Sequence, residues 1–400
     1  MSQTPPPPPS AETPPNPWSG TKVATKIRQA GAESRSHNRE FPCPNCGADL
    51  RFDPGAEAMK CTHCEAEVEV PHVDDEAAQI ENGLRDQIAS GDALETVDIP
   101  SLNCNTCGAS VEFDADEHSR LCPFCDSAIV ADVTMQRNIV PQGLLPFKVR
   151  EKEAHDLMYA WLKSRWFAPG GLTENSDTEH FNGVYVPTWT YDAFTDTSYT
   201  GKRGDYRGSG KNRRIHWTRV SGAVSGSFDD VLVSGSQSVS VEFKDALAPW
   251  PLRDLETYQT EFLAGFRAEN HTFGLEEGYS ESQVFMRAKI RDWVKADIGG
   301  SKQIISSSDT RFSKETFKHI LLPVWITHYT LEANRYRMSV NGQTGKVYGQ
   351  RPFSKKKLAA GALVGFVAMV VFGGLISVST GPDITPYLYQ AADEGDWFKD

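Results

Sequence analysis

All eight cysteines of this 400-residue chain fall in CxxC pairs: Cys43/Cys46, Cys61/Cys64, Cys104/Cys107 and Cys122/Cys125. The pairs group in twos with one spacing, C-x2-C-x14-C-x2-C, repeated after 61 residues. Two four-thiolate groups at this spacing suit two tetrahedral Zn2+ ions. Each CxxC makes a tight knuckle that aims two sulfurs at one ion, and a hairpin between knuckles brings the four together. Gly47-Ala48 and Gly108-Ala109 follow the first knuckle of each group. Glycine there permits φ > 0, so backbone N–H groups can face the sulfurs. Phe52-Asp53 and Phe113-Asp114 repeat as well, and the two phenylalanines are expected to fill a small core beside each metal. Four cysteines leave no open position for water, so the ions are read as structural. A ribbon this small needs its metal to fold. The competing chemistry is redox CxxC or disulfides; the repeated ribbon spacing favours zinc. His63, His72 and His118 lie nearby and are read as surface residues.

No second chemistry emerges. Gly208-Ser209-Gly210-Lys211 approaches a phosphate loop, but Asp205 replaces the earlier glycine and Asn212 stands where Ser or Thr must reach magnesium. There is no HExxH, no GxSxG and no helicase motif set, so the chain is read as a non-enzyme. Residues 202–219 carry seven Lys/Arg against one Asp, with Tyr206 and Trp217 interleaved. That segment is either a solvated loop between strands or a contact for phosphate backbone or anionic lipid.

The elements that must position the cysteines can be read in outline. Residues 1–40 are polar and proline-rich and read as disordered. Ribbon one covers 41–70, an acidic, partly helical connector 71–100, and ribbon two 101–133. An α+β domain with mostly antiparallel sheet spans 141–352. Within it, 150–166 reads as a helix with Leu157, Met158, Trp161 and Leu162 on one face. A second helix is placed from Ser280, capped with Gln283, to Gly299-Gly300. Strands are expected over 183–200, 215–243 and 320–349, with Tyr336, Met338 and Val340 alternating with Arg335, Arg337 and Ser339 before the turn Asn341-Gly342. Pro187-Thr188-Trp189 is echoed by Pro323-Val324-Trp325, either a duplicated β-unit or coincidence.

Residues 358–378 are uncharged and read as a C-terminal transmembrane helix, about 32 Å long. Arg351, Lys355, Lys356 and Lys357 precede it, and an acidic tail, 379–400, follows. This asymmetry places the N-terminus in the cytoplasm, the span in a membrane and the tail outside. The lack of a signal peptide agrees with a reducing compartment for the ribbons. Gly361-x3-Gly365 is either a helix-packing motif for a homodimer or glycine tolerated in an ordinary span. Net charge is −12, and residues 41–133 alone carry 20 acidic against four basic side chains. Phosphate would repel such a surface, which argues against nucleic acid and for protein partners.

The pieces FPCPNCGADLRFDP, LLPFKVREKEAHDLMYAWLKSRWFAP, GVYVPTWTYDA, SGSFDDVLV and VNGQTGKVYGQRPFS resemble a bacterial family of zinc-ribbon membrane proteins. Its members often carry the labels primosomal protein N′ (replication factor Y), superfamily II helicase, or TFIIB-type zinc-finger protein. The resemblance runs over nearly all of 41–378. It implies a scaffold or adaptor in an envelope-stress complex at the bacterial inner membrane, with phage-shock-type membrane-coating proteins or SPFH-like proteins as partners. A nucleic-acid-binding ribbon protein without a motor is the alternative. The second ribbon departs from single-ribbon relatives.

Overall fold

The computed structural model describes residues 41–71, 73, 76–90, 94–112, 119–130, 134–165, 181–236, 238, 245–331, 334–350, 354, 357, 359–364 and 369. Its frame is three very long antiparallel strands: β11 (Phe181–Arg207), β12 (Arg214–Ser234) and β15 (Lys302–Leu331). β11 lies in the centre, paired with β12 on one side and β15 on the other. Serine, threonine, valine and aromatic residues alternate along these strands, as a half-buried pleated surface requires.

The chain contains the same unit twice. Strand β10 (Gly143–Leu144), helix α3 (Glu151–Lys163), β11 and β12 correspond to β14 (Arg267–Ala268), helix α4 (Leu275–Ile298), β15 and β16 (Asn334–Asn341). Each short strand pairs in parallel with the long strand of the other unit: Leu144 opposite Leu321, and Ala268 opposite Tyr185. The hydrogen bonds repeat too. The Leu145 N–H donates to Leu321 O at 3.0 Å, the Glu269 N–H to Tyr185 O at 2.9 Å. The echoed tryptophans hold matching places. Trp325 Nε1 donates to Val149 O at 2.8 Å and Trp189 Nε1 to Phe273 O at 3.1 Å, each carbonyl two residues before a helix. Pro187 and Pro323 each accept from a glycine, Gly235 at 2.8 Å and Gly342 at 2.9 Å. The echo is therefore a duplicated β-unit. Replacing either tryptophan with phenylalanine should cost about 1–3 kcal/mol by orphaning a carbonyl at a helix entry. Denaturant titration should give similar losses at the two positions.

The helices arise as expected, with one shift. α3 turns Ala154, Met158 and Leu162 inward. α4 starts at Leu275, five residues before the expected Ser280. Its first turn carries Glu276 and Glu277, and the Gly274 N–H donates to the Glu277 carboxylate at 3.1 Å. Carboxylates favour a helix N-terminus, so this turn outcompetes the Ser280 signal. Ser280 sits inside the helix and donates to Glu276 O at 2.9 Å. α4 buries Met286, Ile290, Val294 and Ile298 against Trp189, Tyr191, Tyr199 and Phe312.

The connector is bound to the sheet. Helices α1 (Glu76–Gln79) and α2 (Leu84–Ser90) flank β4 (Asn82–Gly83), which pairs with Thr316 and Phe317 of β15. Arg85 makes a two-pronged ion pair with the buried Glu315, at 2.6 and 2.9 Å. Glu81 and Asp230 hold the buried Lys318 ammonium at 3.4 and 3.0 Å.

The expected transmembrane helix is overturned. Among the described residues no helix is long and apolar enough to cross a membrane. Within 358–378 the described residues are 359–364 and 369, all helical; six residues reach about 9 Å, against roughly 30 Å of hydrocarbon. The rest of that stretch, the tail 379–400 and the N-terminal 1–40 lie outside the described residues. The integral membrane contact, the inner-membrane location and a homodimer through Gly361 and Gly365 rested on the span and fall with it.

Candidate metal centres

Both cysteine groups assemble. Cys43, Cys46, Cys61 and Cys64 form one cluster; Cys104, Cys107, Cys122 and Cys125 form the other. In each, the four sulfurs lie within 4.8 Å of one another. Cys43–Cys64 and Cys46–Cys61 are 3.6 and 3.5 Å apart, Cys104–Cys125 and Cys107–Cys122 3.5 and 3.6 Å. A tetrahedron of sulfurs about 2.3 Å from an ion has edges of about 3.8 Å. The donor set therefore fits one ion per cluster, and all eight cysteines are free thiols.

Local sequence makes this geometry. In ribbon one, β1 (Leu50–Asp53), β2 (Ala58–Cys61) and β3 (Glu67–Val68) form a small antiparallel sheet with the knuckles at one end. In ribbon two, β5 (Thr96–Asn103) pairs with β6 (Ser110–Glu112) and β9 (Thr134–Ile139), and β7 (Ser119–Leu121) with β8 (Ala128–Val130). In all four knuckles the residue after the second cysteine has positive φ: Gly47 76°, Glu65 60°, Gly108 76° and Asp126 57°. Sequence reading found the two glycines and missed that Glu65 and Asp126 do the same job. A left-handed residue with a Cβ is strained. Glu65→Gly should therefore raise stability by up to about 1 kcal/mol at equal metal content, read from denaturant midpoints.

The electrostatics of both clusters suit a cation. The N–H groups of Cys64 and His63 point at the Cys61 sulfur, 3.5 and 3.4 Å away, and pull its pKa down to about 6. Cys64 receives the Ala66 N–H, yet the Cys46 thiol and burial push it up to about 12. In ribbon two the Cys122 thiol draws Cys107 down to about 5, and Cys122 itself is pushed up by Cys107 and by burial. Without a cation, protons divide unevenly within each cluster; a divalent ion lets all four thiolates form.

The two centres are seated differently. Ribbon one packs Leu50, Phe52 and Met59 into a core with Phe262, Leu263 and Phe147, and the Phe52 N–H donates to Ala264 O at 3.0 Å. Cys46 and Cys64 are exposed. Ribbon two packs Leu102, Val111 and Phe124 against Val184, Ile320, Val324 and Ile326 on the sheet. Its second knuckle is clamped by β15 and β16. Arg335 pairs with the Asp126 carboxylate and donates to Asp126 O at 3.3 Å; His328 Nε2 meets Phe124 O at 3.0 Å. The half-buried Arg337 guanidinium faces Cys107, Glu269 and Cys125. Phe52 fills the expected place. Phe113, His72 and His118 lie outside the described residues, and His63 is exposed.

Behind ribbon two lies a residue that sequence reading did not single out. Glu269 is 3% exposed, and neither carboxylate oxygen has a hydrogen-bond partner. Burial raises its pKa to about 8. The Ser236 and Ser238 hydroxyls, which bond each other at 2.9 Å, stand close enough to lower it partly without forming a full hydrogen bond to the carboxylate. Beside it, Asn270 Nδ2 donates to Ser101 Oγ at 2.6 Å and Ser110 Oγ at 3.0 Å, tying ribbon two to the loop before α4.

A third group, Glu81, Asp192 and Asp229, also gathers possible ligand atoms. Thr316 Oγ1 lies within hydrogen-bonding distance of both Glu81 (2.9 Å) and Asp192 (2.7 Å), and Lys318 lies among them. Asp230, Glu81 and Asp192 hold the Lys318 pKa up against burial. Glu81 and Asp192 of this group, together with Asp230, are counter-charges to the buried lysine.

No family model matches the chain, and no solved structure matches it. One curated relative, the uncharacterized protein YdjG of Bacillus subtilis (strain 168), is 24% identical over 329 residues. The match covers 80% of this chain and 92% of the relative.

Proposed function

We propose that the chain is a non-catalytic zinc scaffold: two structural Zn2+ ions fix two ribbons on a duplicated β-frame, which presents them to protein partners. The observation that carries this is the all-cysteine makeup of both clusters. Four thiolates complete a tetrahedron and leave no position for a reacting water. Cysteine sulfur also favours zinc over hard cations such as magnesium or calcium.

Ribbon one supplies the partner surface. Glu65, Glu67 and Glu69 are all exposed on or beside β3, the edge of its sheet, while Val68 packs inward. An acidic edge strand fits a basic protein surface and repels phosphate. The resemblance to zinc-ribbon proteins of envelope-stress complexes makes phage-shock-type and SPFH-like proteins the partners to test first. The test is affinity capture of the whole chain with crosslinking, repeated with Glu65, Glu67 and Glu69 changed to lysine. Loss of the partner at unchanged metal content supports the scaffold reading. Retention of the partner, or tight binding of the parent chain to single-stranded DNA through this edge, defeats it.

A further inference from the structure

The basic segment 202–219 is the end of a hairpin, not a loop. β11 and β12 stay paired out to Arg207 opposite Arg214, and the chain reverses over 208–213. Residues two apart on a strand share a face, and so do directly opposed residues. Lys202, Gly204 and Tyr206 therefore share one face with Arg219, Trp217 and Ile215, and with Ile304, which lies opposite Lys202 on β15. Gly204 is the floor of this patch: a Cβ there would come within 2.8 Å of the Trp217 ring and 2.9 Å of Ile215. The patch is uncovered, with Ile304 and Trp217 44% and 40% exposed, Tyr206 and Ile215 38% and 37%. It lies at the far end of the frame. α4 stops at Ile298, and Gly300 packs on Arg203, so the hairpin runs on past its covering helix.

We infer that this hairpin tip docks on an anionic lipid surface. Four apolar side chains gather on one face at the end of a projecting arm, bordered by Lys202 and Arg219, with Arg203, Arg207 and Arg214 on the opposite face. The cations meet lipid phosphates, while tryptophan, tyrosine and isoleucine enter the boundary between headgroups and acyl chains. Charge complementarity also orients the molecule. The segment carries seven Lys/Arg against one Asp in a chain of net charge −12, so an anionic plane attracts the tip and repels the remainder. Single-stranded nucleic acid is a poorer fit. It needs a run of free aromatic faces, whereas two of the four apolar residues are isoleucines. The Arg213 guanidinium stacks on one face of the Tyr206 ring at 3.7 Å while the rest of that ring stays exposed, so Trp217 is the main stacking surface the patch offers a base. Such docking is peripheral, requires no spanning helix, and is independent of the metal reading.

The test uses the metal-loaded full chain with vesicles carrying brominated acyl chains, which quench tryptophan at the interface. Vesicles containing phosphatidylglycerol should quench the parent, and Trp217→Phe should lose that quench. Changing Lys202, Arg213 and Arg219 to glutamine should raise the lipid concentration needed at least tenfold, and so should 0.5 M salt on the parent. Full quenching in Trp217→Phe, or equal quenching of the parent by neutral phosphatidylcholine vesicles, overturns the inference. So does a tenfold loss of single-stranded oligonucleotide binding in the glutamine variant while its vesicle titration is unchanged.

Discussion

Cys122→Ser should reduce the metal content from two equivalents per chain to one and remove much of the stability of the sheet as well as of ribbon two. Cys122 is buried in the same core as Phe124, Val184, Ile320 and Val324. Losing the ion frees the knuckle that Arg335 and His328 grip, and uncovers apolar side chains of β11 and β15. A structural zinc ion contributes on the order of 10 kcal/mol to a small ribbon, so cooperative unfolding of this variant should fall well below that of the parent. Cys46→Ser should also lose one equivalent but cost less, because Cys46 sits on an exposed knuckle. The same contrast predicts two-phase metal release to a chromogenic chelator. The ion on ribbon one, with Cys46 and Cys64 exposed, leaves first; the ion on ribbon two, with Cys107 and Cys125 half-buried, leaves second. Elemental analysis with thermal melts reads the first expectation, and the release trace reads the second. A single phase, or equal melting losses in the two variants, contradicts the difference in seating.

Glu269→Gln should change the pH dependence of stability. Burial raises the folded-state pKa of Glu269 from 4.5 to about 8. A carboxyl raised on folding contributes stability that is complete below the unfolded pKa and is lost as pH rises through the folded value. Between about pH 4.5 and 8 the unfolded chain releases this proton and the folded chain keeps it. At roughly 1.4 kcal/mol per pKa unit, the parent should lose about 3–5 kcal/mol over that window. Glutamine carries no charge at any pH and should flatten the curve. The variant should match the parent near pH 5 and exceed it near pH 8, measured by denaturant unfolding with metal held saturating. Parallel curves for the two proteins would mean that Glu269 ionises in the folded state without penalty.

Much of the cysteine-cluster geometry is local and therefore legible in the sequence. A CxxC knuckle is set by its own few residues, and the 61-residue repeat shows which knuckles belong together. The Pro-x-Trp echo is legible for another reason: each tryptophan must both fill the core and hold a helix entry. The seating of the ribbons was not legible. Arg335 and Arg337 occupy the polar positions of an alternating strand, and alternation does not tell solvent from a docked ribbon. Glu65 hides a left-handed turn behind a side chain that seldom marks one, and Asp126 behind one that also serves in many other settings. The start of α4 was misplaced because a serine signal competed with two glutamates in the true first turn. The apolar run at 358–378 shows the opposite failure: composition alone suggested a span that no described helix forms.

The exchange of short strands between the two halves has a consequence for how the chain folds. Leu144 pairs with Glu256 on one side and with Leu321 on the other, and Ala268 pairs with Tyr185. Neither half closes its own sheet, so the first half leaving the ribosome has an open edge until residues past 320 have been made. Contacts this distant along the chain make folding slow. The early half must survive with β11 unpaired on one side, the state in which edge-to-edge aggregation begins. Supplying the second half in trans should rescue a stalled first half, as though the molecule were two subunits joined by a tether.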